Sequence, residues 1–141
     1  MPSACCTGPP PSAASPRSLK VTRIYTGEDQ EAYFEDLEIP FDSAAPGAHS
    51  PSFPVERLFF RSFPPQHEVD YHVAPRRQWV LVVGGVMEVE CKGGTRRFSP
   101  GDVLFLDDLT GRGHITRNIQ GTRVLAYLPI PPGFRIDDLR K

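Results

Sequence analysis

An imidazole, a primary amide and two guanidiniums lie close together in Tyr71-His72-Val73-Ala74-Pro75-Arg76-Arg77-Gln78. His72 and Gln78 are six apart, so on an extended chain they share parity and reach the same face, with Pro75 interrupting the pleat between them. Imidazole suits late transition metals; a neutral Gln carbonyl is a poorer donor and brings no compensating charge. Together they could hold a divalent cation weakly, with His67 as a further imidazole if Glu68-Val69-Asp70 bends. The same stretch offers chemistry without a metal. Asp70, two before His72, could orient the ring, set its tautomer and make it a general base; a polar pair facing solvent is the plainer alternative. Strand alternation turns one of Arg76 and Arg77 inward, where its planar fork suits a carboxylate or phenolate; a solvated rim is again the alternative.

These residues need strands to position them. Short segments recur about every ten residues with turn signals between them, the pattern of an all-β sandwich or barrel. Lys20–Tyr25 alternates, and Glu31–Glu38 reads as a short strand or a helical turn. Pro40, Pro46, Pro51 and Pro54 forbid a long helix after it. Glu56–Phe63, Val69–Val73, Gln78–Val83, Val86–Cys91, Val103–Leu106, Gly113–Asn118 and Arg123–Leu128 follow as strands. Gly84-Gly85 reads as a turn across which Val86–Cys91 pairs back, and Lys92–Thr95 has the glycines of a tight hairpin. Pro129–Gly133 should leave the ladder and cross the surface. Phe59, Phe60, Trp79, Phe98 and Phe105 supply core, some of them lining an apolar pocket for a ring-bearing molecule. Residues 1–17, rich in Pro, Ser and Ala, read as a disordered tail, leaving residues 18–141 as one domain.

The order of these pieces resembles the cupin superfamily. Gln78–Glu90 is similar to its first block, with the glycine turn; Pro100-Gly101-Asp102-Val103-Leu104-Phe105 and then His114 with Asn118 are similar to its second. The resemblance implies an antiparallel double-stranded β-helix, the cupin jelly-roll barrel, with a pocket between its sheets. It places His114 at a metal-ligand position. It also exposes departures: one histidine, His72, stands where metal-binding members carry a His-x-His pair, and Gln78 stands where they carry Glu. The implied metal set is His72, Gln78 and His114, with His67, for iron, nickel, manganese or zinc; otherwise no cofactor is implied. Asp107–Gly113 replaces the family's Pro-Gly bend, and its glycines should bring Asp108 near the pocket mouth. The implied catalytic residues are therefore His114, His72 and Asp108, with Arg76, Gln78 and Trp79 contacting substrate. Small single-domain cupins of bacteria and fungi, some accompanying polyketide tailoring, are similar to this chain. That likeness implies an oxidoreductase or an isomerase or cyclase acting on an aromatic or polyketide secondary metabolite. The alternatives are a non-catalytic cupin that binds a small metabolite and, more weakly, a structural dimerisation domain.

Composition narrows the partners. Seventeen acidic and sixteen basic residues leave a net charge of −1 over 141 residues, which gives no field for a nucleic acid. Cys5, Cys6 and Cys91 form no disulfide or zinc pattern, which fits a reducing, cytoplasmic setting. The start of the chain lacks the basic and apolar regions of a signal peptide, and no apolar run approaches the roughly 20 residues of a membrane helix. Val55–Phe60 is the edge expected to be covered by a second copy in a homodimer.

Overall fold

The computed structural model describes residues 18–42 and 47–134. The tail expected over residues 1–17 lies outside them, as do Cys5 and Cys6. The described residues form eight strands and no helix. These are β1 (Ser18–Thr26), β2 (Ala32–Pro40), β3 (Phe59–Phe63), β4 (Glu68–His72), β5 (Gln78–Cys91), β6 (Gly94–Phe98), β7 (Val103–Asp107) and β8 (His114–Pro129). The ambiguous segment after Thr26 is thus a strand, β2, which pairs with β1 from Thr26↔Ala32 to Ser18↔Pro40.

The sheet order is β2-β1-β7-β5-β8-β3, with β6 on β5 and β4 on β8. One pairing departs from the all-antiparallel expectation: β1 runs parallel to β7, Thr22 opposite Leu104. Hairpins oblige neighbouring strands to be antiparallel, but these two are distant in sequence and nothing local fixes their sense. The sheet is therefore mixed, and it is not closed into a barrel.

The glycines also act differently from the sequence reading. Gly84-Gly85 does not reverse the chain. β5 runs through it as one long strand, and β8 likewise joins the two segments expected separately at Gly113–Asn118 and Arg123–Leu128. The two strands pair along both halves, from Gln78↔Pro129 to Glu90↔Ile115, with register shifts between Val82 and Met87. Gly85 has φ of 75° and Gly121 of 69°. A Cβ on Gly85 would lie 2.6 Å from the Thr122 carbonyl oxygen, so the site demands glycine for close approach as well as for the bend. A glycine pair in an apolar run signals a turn or a bulge equally well; here the bulge wins because β8 offers a continuous partner. The bent ribbon carries β7 and β3 beside one half and β6 and β4 beside the other.

Alternation along β5 and β7 divides two cores. Val80 and Leu104 turn inward with Ile24, Phe63, Met87, Val89 and Leu125. Trp79 and Phe105 turn to the opposite face with Val21, Leu37, Ile39, Ile130 and Phe134. The chain after Pro129 leaves the ladder as expected, yet it buries Ile130 and Phe134 over Trp79 and Phe105 rather than merely crossing the surface. At the end of the sheet, β3 leaves Phe60 61% exposed, with Leu58 and Val55 also exposed.

Candidate functional site

The inner face of the bent ribbon encloses a cavity of about 280 Å³. Its apolar wall includes Val80, Leu104 and Leu125 from one half and Met87 and Val89 from the other. His67, His72, Gln78, Thr116, His114, Arg61, Arg123 and Tyr127 supply its polar groups.

His72 ends β4 and His114 begins β8, and the two are register partners. Their ring centroids are 4.4 Å apart. The approach depends on Gly113, which has φ of 79° and whose added Cβ would lie 1.9 Å from the His72 carbonyl oxygen. Each ring is held at Nδ1 by a different partner. His72 Nδ1 lies 2.8 Å from the main-chain oxygen of Asp70, so it donates and carries the proton, leaving Nε2 with a free lone pair. His114 Nδ1 lies 2.5 Å from Asp108 Oδ2, a carboxylate–imidazole pair that fixes ring orientation and tautomer. Burial lowers the pKa of His72, seconded by the charges of His114 and Arg123 and opposed by the Asp70 hydrogen bond and by Asp108.

Two expectations are corrected here. The Asp70 carboxylate does not orient His72; it accepts from the Tyr71 N–H, and the carbonyl orients the ring instead. Asp108 is not at the pocket mouth. It is fully buried behind His114, its own carbonyl accepting the Ala74 N–H at 3.0 Å. Gly111 and Gly113 shape the turn that puts it there, both at positive φ.

Of the other predicted residues, His67 and Gln78 line the cavity, Gln78 being 3% exposed at the start of β5. Trp79 does not, because alternation sends it to the outer core beside Phe53 and Phe105. Arg76 is exposed and outside the cavity wall. Arg77 does not line the cavity either: its Nε is paired with Asp107 at 2.7 Å, which also binds Arg23, so neither arginine of the pair takes the inward position expected of one of them.

The residues missed by the sequence reading are Arg123, Arg61, Thr116 and Tyr127. Arg123 is 1% exposed. Its Nη2 lies 3.0 Å from His67 Nδ1, while Nε and Nη1 have no hydrogen-bond partner among the described residues. Its guanidinium stacks over Phe63, 4.2 Å from the centroid, and Arg61 approaches the same ring at 4.7 Å. The available signal was parity: Arg123 alternates in phase with Leu125 and Tyr127.

The donor set does not fit a divalent cation. Two imidazole Nε2 atoms and a neutral amide supply no negative charge, the Asp108 carboxylate is taken by His114, and His67 Nδ1 accepts from Arg123. A dication would share a low-dielectric cavity with the buried Arg123 guanidinium. Among the described residues no group of three His, Cys, Asp or Glu side chains is arranged to hold a metal.

A family model for the AraC-like ligand binding domain matches residues 55–108. Among curated proteins nothing matches the sequence. Similar solved structures include KdgF from a Halomonas species, 24% identical over 64% of this chain and 79% of that one, with a TM-score of 0.36. The putative ethanolamine utilization protein Q of Salmonella typhimurium is 16% identical over 81% of this chain and 97% of that one, with a TM-score of 0.38. The cupin domain of Cnp3 from Schizosaccharomyces pombe is 15% identical over 85% and 88%, with a TM-score of 0.35.

Proposed function

We propose that the chain, whose residues 55–108 match the AraC-like ligand binding domain, is a cupin that takes a small ring-bearing molecule into the cavity and moves a proton on it, as an isomerase or cyclase does. The observation that carries this is the pair of imidazoles 4.4 Å apart with unlike Nδ1 partners. Paired titratable groups in unlike environments divide acid and base roles. His72, neutral and with Nε2 free, is the base. His114, backed by a carboxylate, is placed to hand a proton to the other end of the same π-system. Asp108 acts through His114 and is a positioning residue. Gln78, at the wall, can hydrogen-bond a ligand oxygen. The cavity is close to the lower bound of about 300 Å³ for small-molecule sites, which favours one ring over a multi-ring polyketide.

Cyclic 1,3-diketones and hydroxyaryl ketones incubated in D2O test this by solvent deuterium uptake. Native protein should accelerate uptake at the carbon between or beside the carbonyls, and His72→Ala and His114→Ala should remove the acceleration. Binding of such a compound without accelerated exchange would reject the enzyme and leave the second reading, a cupin that holds a metabolite without turnover. The match of residues 55–108 to a ligand binding domain favours that second reading. The exposed edge of β3 supports the proposal that a second copy covers it, and the buried, unpaired Cys91 fits a reducing cytoplasm. Among the described residues no helix is long and apolar enough to cross a membrane.

A further inference from the structure

We infer that the molecule this cavity accepts is an organic anion, and that Arg123 binds its carboxylate. A guanidinium keeps its charge under all ordinary conditions, and burying a charge is costly unless it is paired. Arg123 is 1% exposed, yet among the described residues no Asp or Glu lies within ion-pair distance of it. Among the described residues its single side-chain hydrogen-bond partner is His67, whose Nδ1 accepts from Nη2 at 3.0 Å. Nε and Nη1 remain unpartnered in a wall of the cavity. The contact with Phe63 offsets part of the cost, since a cation over a ring face is attracted to it, but it supplies no hydrogen-bond acceptor. Arg61 worsens the imbalance by bringing a second cation to the same ring. An acceptor-rich anion would satisfy the orphaned donors and cancel the charge together.

The class of anion follows from the walls. Around Phe63 the lining adds the His67 ring, 4.8 Å between centroids, and Tyr127, beside apolar Leu125 and Val69. A planar carboxylate matches the two free donors of one guanidinium fork, and it is Arg123, not the exposed Arg61, whose charge lacks solvent to compensate it. This places the carboxylate at the Arg123 end and the rest of the molecule toward His72 and His114. The inference rests on the preceding section only for the cavity as the ligand site, and would hold equally for a binder.

The test is titration of the 15N-labelled full chain with sodium acetate at fixed ionic strength, following the Arg123 Nε–H signal. Acetamide is the neutral isostere and inorganic phosphate the dianion. Saturable movement with acetate, absent with acetamide and weaker with phosphate, is expected. Arg123→Gln should weaken acetate about tenfold or more, and Arg123→Lys should retain part of the affinity. Equal response to acetate and acetamide, or tighter binding of phosphate, would overturn the assignment on the native chain alone, whatever the variants' stability. Acetate undergoes no ring chemistry, so the titration reads charge recognition by itself. Acetate binding without deuterium uptake by the ketones would sink only the proton-transfer reading; uptake without preference for acetate would sink only this one.

Discussion

His72 and His114 sit opposite one another on paired strands, yet the protein prepares them differently: a main-chain carbonyl holds one Nδ1 and a buried carboxylate the other. Burial holds the His72 pKa below its ordinary value, and the base role given to it depends on that.

Replacing Asp108 by Asn should separate positioning from folding. An amide at this place can present either its NH2 or its carbonyl to the ring, so the His114 tautomer is no longer fixed. Proton-transfer activity should fall about a hundredfold or more, with a cooperative melt retained. The imidazole 15N shifts of His114 should move as well, which loss of activity through disorder alone would not produce. An Asp108→Asn protein with native activity and unchanged His114 shifts would remove Asp108 from the account.

The depressed pKa of His72 makes stability depend on pH. Its folded value lies below its ordinary 6.5, so between the two the unfolded chain binds more protons. The contribution of neutral His72 is whole above about 6.5, declines as pH falls below it, and levels off beneath the folded value. Denaturant midpoints measured from pH 8 to pH 5 should fall over this window, and His72→Gln should flatten that part of the profile. An equally steep profile in the variant would assign the dependence to another group.

Gln78→Glu probes the charge of the cavity. A buried carboxylate near His72 favours its protonated form, so the His72 pKa should rise and the base should be lost at a higher pH than in the native chain. Because Arg123 shares the cavity, the same change should not yield a chelator-sensitive protein. A melt that drops when EDTA is added to native protein would contradict the reading of the donor set.

Gly113→Ala should be severe. The position requires positive φ, and a methyl would meet the His72 carbonyl oxygen at 1.9 Å. A loss of about 2–4 kcal/mol is expected, read by urea denaturation. Gly94 is the control, since its added Cβ meets nothing within 4 Å: Gly94→Ala carries the cost of positive φ alone, and equal losses at the two glycines would refute the close-approach argument.

Phe60→Glu tests the proposed second copy on β3. Sedimentation should show native dimers and variant monomers at micromolar concentration; a native monomer would end that proposal.

The strand-rich fold was legible because period-two alternation and turn residues are local signals. What the sequence hid is non-local. Nothing near Ser18 announces a parallel partner at Val103–Asp107, and Gly84-Gly85 reads identically as a turn or a bulge until β8 is in place. His67, His72, Gln78 and His114 do line one cavity. Trp79 was misplaced because alternation gives a face without saying that both faces are cores. Arg123 was missed because arginine is ordinarily a surface residue; its meaning appears only when Phe63, His67 and Arg61 surround it.

The most direct measurement of the central claim needs no substrate: a long-range 1H–15N correlation of the histidine rings, recorded from pH 8 to pH 5. The account predicts His72 neutral at pH 7 with its proton on Nδ1 and Nε2 bare, taking up a second proton only below 6.5. His72 found as imidazolium at pH 7, or neutral with the proton on Nε2, would leave the cavity without its base and contradict the account.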